Sequence, residues 1–156
     1  MTLSMPHFNA LPTTIDLKIF SVTGYQARTS NQLEFNPSTA KIAPLWQSFF
    51  ASPLFMKGIP YGIYSDYESG VHEMYTVTAG IEAVDFSVSA PSTITIPAGR
   101  YLCFRFEGDL PQASIQGWIQ VWNYFQEPGC AYKRLFVVDF EKYVSEKGVE
   151  IYIGIE

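Results

Sequence analysis

The amino-acid sequence repeats itself. Trp46 and Phe49 match Trp122 and Phe125, Asp66-Tyr67-Glu68 matches Asp139-Phe140-Glu141, and Gly80-Ile81-Glu82 matches Gly154-Ile155-Glu156. Each copy reads as an amphipathic helix, a strand ending in aromatic-Glu, and a strand ending in Gly-Ile-Glu. The spacing exceeds the roughly 20–50 residues of a stacked repeat array. Two copies in 156 residues fit one domain made of pseudo-symmetric halves, about 14–83 and 84–156, behind a flexible leader over residues 1–13. The seam where two such halves meet is a natural place for a pocket.

The chain can bury a substantial core without staples. It is 47% hydrophobic and only 16% charged, so it is globular. Aromatic residues reach 16%, including ten tyrosines whose hydroxyls need partners when buried. That surplus fits either an aromatic core or an aromatic-lined site. The net charge of −5 argues against nucleic acid and favours neutral or cationic small ligands. Cys103 and Cys130 lie far apart without metal spacing, and Cys103 sits in an apolar run. His7 and His72 have no partners at ligand spacing, so neither metal nor cofactor is expected. The first residues lack the basic start and apolar stretch of a signal peptide, and no run is long enough to span a membrane. A cytoplasmic protein without membrane contact is expected.

Periodicity predicts an α+β domain. Thr14–Arg28 alternates as a strand with a bend near Phe20-Ser21, and Asn31–Pro37 reads as a polar loop. A helix capped by Ser38 or Thr39 carries Ile42, Leu45, Trp46 and Phe49 on one face. Strands follow over Tyr61–Glu68 and Met74–Ala83, with a short extension over Phe86–Ala90. Another covers Arg100–Phe106, reached through a bend at Pro97-Ala98-Gly99. A second helix puts Ile115, Trp118, Ile119, Trp122 and Phe125 on one stripe, with Trp122 read as core. Strands Tyr132–Tyr143 and Val149–Ile155 close the chain. The order strand, helix, strand, strand occurs twice, giving a mainly antiparallel sheet with two helices on one side.

Side chains two apart on a strand share a face. Tyr64, Asp66 and Glu68 therefore point one way, as do Asp139, Glu141 and Tyr143, which would bring Glu68 and Glu141 to comparable places about a pseudo-twofold axis. A carboxylate in an aromatic hollow is costly to ionise unless it is paired. A lipophilic cation reverses that balance, and each aromatic face adds about 0.5–2 kcal/mol of cation–π attraction. The bland alternative leaves both glutamates solvated or paired with Arg100, Lys133 or Lys142. Trp118 has Ile42 as its counterpart and is freer than Trp122 to face a pocket; Gly117 beside it leaves room for a ligand or for close packing. No phosphate loop, nucleophile elbow or supported Cys–His pair occurs, so no catalytic residue is assigned.

Taken in order, several segments carry a resemblance. They are Asn31 with the helix start at Pro37–Trp46, Tyr61–Glu68, Tyr75–Gly80, Ile96–Tyr101, Trp118–Phe125, Asp139–Tyr143 and Ile151–Ile155. The chain resembles the GyrI-like effector-binding domain of AraC/XylS-type and MerR-type multidrug-responsive regulators, over about Ile15–Glu156. It looks most like stand-alone members, including those on integron gene cassettes. The resemblance implies a duplicated β-α-β-β fold whose sheet curves around a pocket, and a lipophilic cationic ligand held by an acid at the base of aromatic walls. Glu141 best matches that acid, with Glu68 as its symmetry mate; Tyr64, Tyr75, Trp118 and Tyr152 are the aromatic candidates. No helix-turn-helix precedes the first strand, so direct DNA binding is not expected. A signal would pass to a protein partner or second copy, or the chain would sequester a drug or dye. The resemblance also leaves open a hydrolase acting on strained electrophiles and an inhibitor of a protein partner.

Overall fold

A computed structural model describes residues 11–69, 73–83 and 90–156. His7, His72 and most of the Phe86–Ala90 extension lie outside the described residues. The elements run β1 (Thr13–Leu17), β2 (Phe20–Thr29), α1 (Asn31–Glu34), α2 (Ile42–Phe50), β3 (Pro60–Ser65), β4 (Tyr75–Glu82), β5 (Ser92–Ile96), β6 (Gly99–Glu107), α3 (Gln112–Gln126), β7 (Arg134–Ser145) and β8 (Gly148–Ile155). All eight strands form one antiparallel sheet in the order β1-β6-β8-β7-β3-β4-β2-β5. This is the duplicated β-α-β-β arrangement, with a short extra helix.

The outer strands belong to a single bent ladder. From Thr13↔Cys103 through Leu17↔Gly99, and again from Phe20↔Ile96 to Gly24↔Ser92, paired residue numbers add to the same total. β1 and β2 are therefore one long strand bent at Lys18-Ile19, and β5 and β6 another bent at Pro97-Ala98. Each half lends its first segment to the other half: β1 borders β6, and β5 borders β2.

Both longer helices pack on the same face. Leu45 and Phe49 of α2 bury against Tyr75, Val77, Ala79 and Ile81 of β4. Val121 of α3, with Trp118 beside it, buries against the expected apolar face of β8, Val149, Ile151, Ile153 and Ile155. The opposite face holds an aromatic core of Tyr61, Tyr101, Phe140 and Tyr152. β3 and β7 lie side by side in the middle of the sheet, between the strands that carry the two helices.

Three expectations are corrected. The polar loop after β2 contains α1, whose Leu33 N–H donates to the Ser30 hydroxyl at 3.2 Å. The helix expected from Ser38 or Thr39 starts at Ile42 without a local side-chain cap. Glu34 caps it from a distance, its carboxylate accepting from Lys41 N at 2.8 Å and Ile42 N at 3.1 Å. The stripe on α3 is also turned outward. Its buried face is Ala113, Ser114, Gly117 and Val121, while Ile115, Ile119 and Trp122 are exposed, Trp122 by 41%. Small residues face the sheet because the helix sits close: a Cβ on Gly117 would lie 2.8 Å from Phe106. Close packing is what that glycine provides.

A second tight approach joins β2 to β4. Gly24 and Gly80 are paired, and a Cβ on Gly80 would stand 2.0 Å from the Thr23 carbonyl oxygen. Neither backbone can yield without opening the ladder. Gly80→Ala is expected to cost about 2–3 kcal/mol, as overpacking of a tight core does. Urea unfolding checks this: the midpoint should fall with little change in slope, and an unchanged midpoint would refute the tight crossing.

Candidate functional site

The middle strands bring a carboxylate to the floor between the helices. Glu141 lies on β7 opposite Gly62 of β3 and is 2% exposed. Its side chain fits because Gly62 has none: a Cβ there would meet Glu141 Oε1 at 2.9 Å and Trp46 Cζ2 at 3.0 Å. Hydroxyls converge on it from three elements. Tyr64 Oη donates to Oε1 at 2.8 Å, Ser114 Oγ of α3 donates to Oε2 at 2.5 Å, and Tyr143 Oη donates to Oε2. The Trp118 indole N–H faces the same group closely enough to favour its charged form, but without ordinary hydrogen-bond geometry; it is buried and has no hydrogen-bond partner. Among the described residues, no cation lies within ion-pair distance of Glu141.

Aromatic rings close over this floor. Tyr64 meets Trp118 edge-on at 5.1 Å, Tyr143 meets Trp46 edge-on at 5.5 Å, and Trp118 lies 6.4 Å from Trp122. The expected hollow is thus filled by the protein's own rings. Two clefts lie elsewhere. One, of about 410 Å³, is lined by residues including Tyr25, Lys41 and Leu45; the other, of about 290 Å³, by residues including Trp122, Phe125, Arg134 and Phe136. Glu141 lines neither.

Burial pushes the Glu141 carboxyl above its ordinary value of 4.5, against the opposing pull of Ser114, Tyr143, Tyr64 and Trp118. Burial also raises the Tyr64 and Tyr143 phenols well above 10, and the adjacent carboxylate adds to the effect, so both remain neutral donors.

A second carboxylate two residues along the strand behaves differently. Asp139 is fully buried and paired with Arg134 at 2.6 Å. It also accepts from Tyr67 Oη at 2.5 Å and Gly154 N at 3.0 Å. The Arg134 guanidinium lies 4.2 Å from the Phe136 ring centre and 6.0 Å from that of Phe125. A register shift in β7 between Arg134 and Asp139, with Phe136 at φ +56, turns this segment out of the ladder. Removing one partner of such a buried pair costs about 3–5 kcal/mol.

The remaining expected site residues fall in different places. Tyr64 and Trp118 join Glu141. Tyr75 is one ring further out, 5.9 Å from Tyr64, and its hydroxyl donates to Asn31. Tyr152 lies on the opposite face, stacked on Phe140 at 4.6 Å and donating to Glu150. Glu68 is exposed beyond the end of β3, where Asp66 at φ +51 turns the chain, and sits 3.6 Å from Arg28. The ladders explain why it is not the mate of Glu141. Ala79 and Ile153 correspond at the spacing of Gly80 and Gly154. Ala79 pairs with Gly62 and Ile153 with Asp139, so Gly62 corresponds to Asp139 and Tyr64 to Glu141. Ser114, Trp46, Tyr67 and Arg134 were not among the site residues expected from the sequence. Cys103 and Cys130 are free thiols, and no metal-binding cluster occurs among the described residues.

A curved antiparallel sheet bearing two helices over a buried acid defines an effector-binding domain. The family model described as integron-associated effector binding protein matches residues 15–155, and the chain belongs to that family of small-molecule-binding domains. It is 34% identical to the integron cassette protein VCH_CASS2 from the mobile metagenome of Vibrio cholerae, covering 97% of this chain and 99% of that one with a TM-score of 0.85. SAV2435, solved with tetraphenylphosphonium bound, is 18% identical over 93% of each chain with a TM-score of 0.69. EcmrR in a DNA complex is 17% identical over 93% of this chain and 57% of that one, with a TM-score of 0.56. The last two show the shared fold alone. No curated protein matches the chain. None of the described helices is long and apolar enough to cross a membrane.

Because burial raises the Glu141 carboxyl, the folded chain holds a proton that the unfolded chain has released. Stability therefore falls as pH rises from the ordinary carboxylate value through the raised one. The melting temperature of the wild type is expected to drop relative to that of Glu141→Gln as pH rises above about 4.5. Parallel profiles would contradict the raised value.

Proposed function

We propose that the chain binds lipophilic, positively charged small molecules between α2 and α3, with Glu141 as the counter-charge. The observation that carries this reading is a buried carboxylate with aromatic walls and no cation of its own among the described residues. Charge attraction strengthens where water is excluded, and ring faces favour a large delocalised cation over a compact hydrated one. Tetraphenylphosphonium on the fold neighbour SAV2435 is a ligand of that chemistry. The rings over Glu141 must move aside to admit it, with Trp118, Tyr143 and Trp46 the side chains placed to do so. Binding then serves effector sensing or sequestration; the net charge of −5 favours relay to a partner over direct contact with DNA.

Titration with tetraphenylphosphonium, followed by tryptophan fluorescence, tests the reading. Wild type should respond, and the neutral triphenylphosphine oxide should bind at least tenfold more weakly. Glu141→Gln should lower affinity for the cation at least tenfold, whereas Glu68→Gln and Tyr152→Phe should leave it unchanged. Affinity should rise with pH as Glu141 ionises, and that dependence should vanish in Glu141→Gln. Equal binding of cation and neutral analogue, or an indifferent Glu141→Gln, would overturn the assignment.

A further inference from the structure

Among the described residues, the floor carries two carboxylates, Glu141 and Asp139, and one built-in cation, Arg134. Glu141 and Asp139 share one face of β7, about 7 Å apart along the strand. Asp139 is taken: Arg134 holds it at 2.6 Å and is itself backed by the Phe136 ring at 4.2 Å. A carboxylate with a cation lying over aromatic rings is the chemistry proposed for the ligand at Glu141, here satisfied within the chain. Beyond it, the cleft of about 290 Å³ is lined by both Arg134 and Lys133. Lys133 is exposed and loosely paired with Glu156 at 3.6 Å.

We propose that Arg134 is a specificity residue that sets the charge of the ligand: the site accepts one positive charge at Glu141 and rejects a second directed along β7 toward Asp139. This rests on the cation-binding reading above and narrows it from lipophilic cations to monocations. A flat ligand lying along β7 reaches toward Asp139 and the cleft at that end. Uncharged aromatic surface is welcome there, because Trp122, Phe125 and Phe136 line the cleft. A second positive charge meets a guanidinium that has already neutralised Asp139, the buried carboxylate at that end of the strand.

Two probes of the same outline separate the cases: N-methyl-4-phenylpyridinium with one charge, and N,N′-dimethyl-4,4′-bipyridinium with a second at its far end. Their affinities are measured by calorimetry on the full chain. Wild type should prefer the monocation at least tenfold. Arg134→Gln, which keeps a donor for Asp139 and frees its charge, should cut that preference at least tenfold, and the dication should raise the melting temperature of this variant more than the monocation does. Arg134→Gln/Asp139→Asn removes both charges, avoids a buried unpaired acid and should restore the wild-type preference. Equal binding of both probes by wild type, or an unchanged ratio in Arg134→Gln, overturns the charge limit while leaving the cation site standing. Loss of the preference in the double variant also overturns it. A wild type that binds neither probe overturns the cation site and this inference with it.

Discussion

A buried acid at the centre of the sheet, with no cation beside it among the described residues, is the constraint around which the domain is arranged. Taking a carboxylate out of water is tolerable only if its lone pairs are satisfied or its proton is retained. Both remedies are visible at Glu141. Three hydroxyls reach it from β3, α3 and its own strand, and burial favours the protonated form. Those hydroxyls fix the spacing of the elements that supply them. α3 must come close enough for Ser114 to touch the floor, which is why the sheet-facing side of that helix is small. β3 must lack a side chain opposite the acid, which is why Gly62 stands there.

The contrast with Asp139 shows how far local environment separates two acids two residues apart on one strand. Asp139 has a guanidinium, a phenol and a backbone amide, and it is fully satisfied within the chain. The irregular stretch of β7 makes this arrangement available. Its register shift leaves Gly154 N–H free to meet the Asp139 carboxylate, and it sets Phe136 beneath the guanidinium.

Much of this was legible in the sequence because it depends on period and order. The alternation on β8, the bend at Pro97 and the duplicated order of elements all follow from local patterns. Glu141 stood out together with Glu68 as matched glutamates near aromatics, and the family resemblance alone preferred Glu141. What misled was similarity of letters without similarity of ladder position. Asp66-Tyr67-Glu68 reads like Asp139-Phe140-Glu141, yet β3 ends at Ser65 and the counterpart of Glu141 is Tyr64. The α3 stripe misled in a related way. Periodicity finds large apolar residues, but a helix pressed against a sheet turns its small ones inward, so Ser114 hid in plain view one turn before Trp118. Tyr143 carried a usable signal, since it shares a face with Glu141 two residues away. Arg134 carried none, because its contact depends on an irregularity in strand pairing.

The exchange of outer strands makes the halves interdependent in a way that duplication alone would not. β1 comes early in the chain and finds its partner only in β6; β5 follows the second half's start and leans on β2. Neither half owns a complete sheet. Severing the polypeptide between β4 and β5 would yield fragments that cling together rather than two miniature domains. It follows that the two halves are tied to each other by continuous, bent strands as well as by side-chain packing.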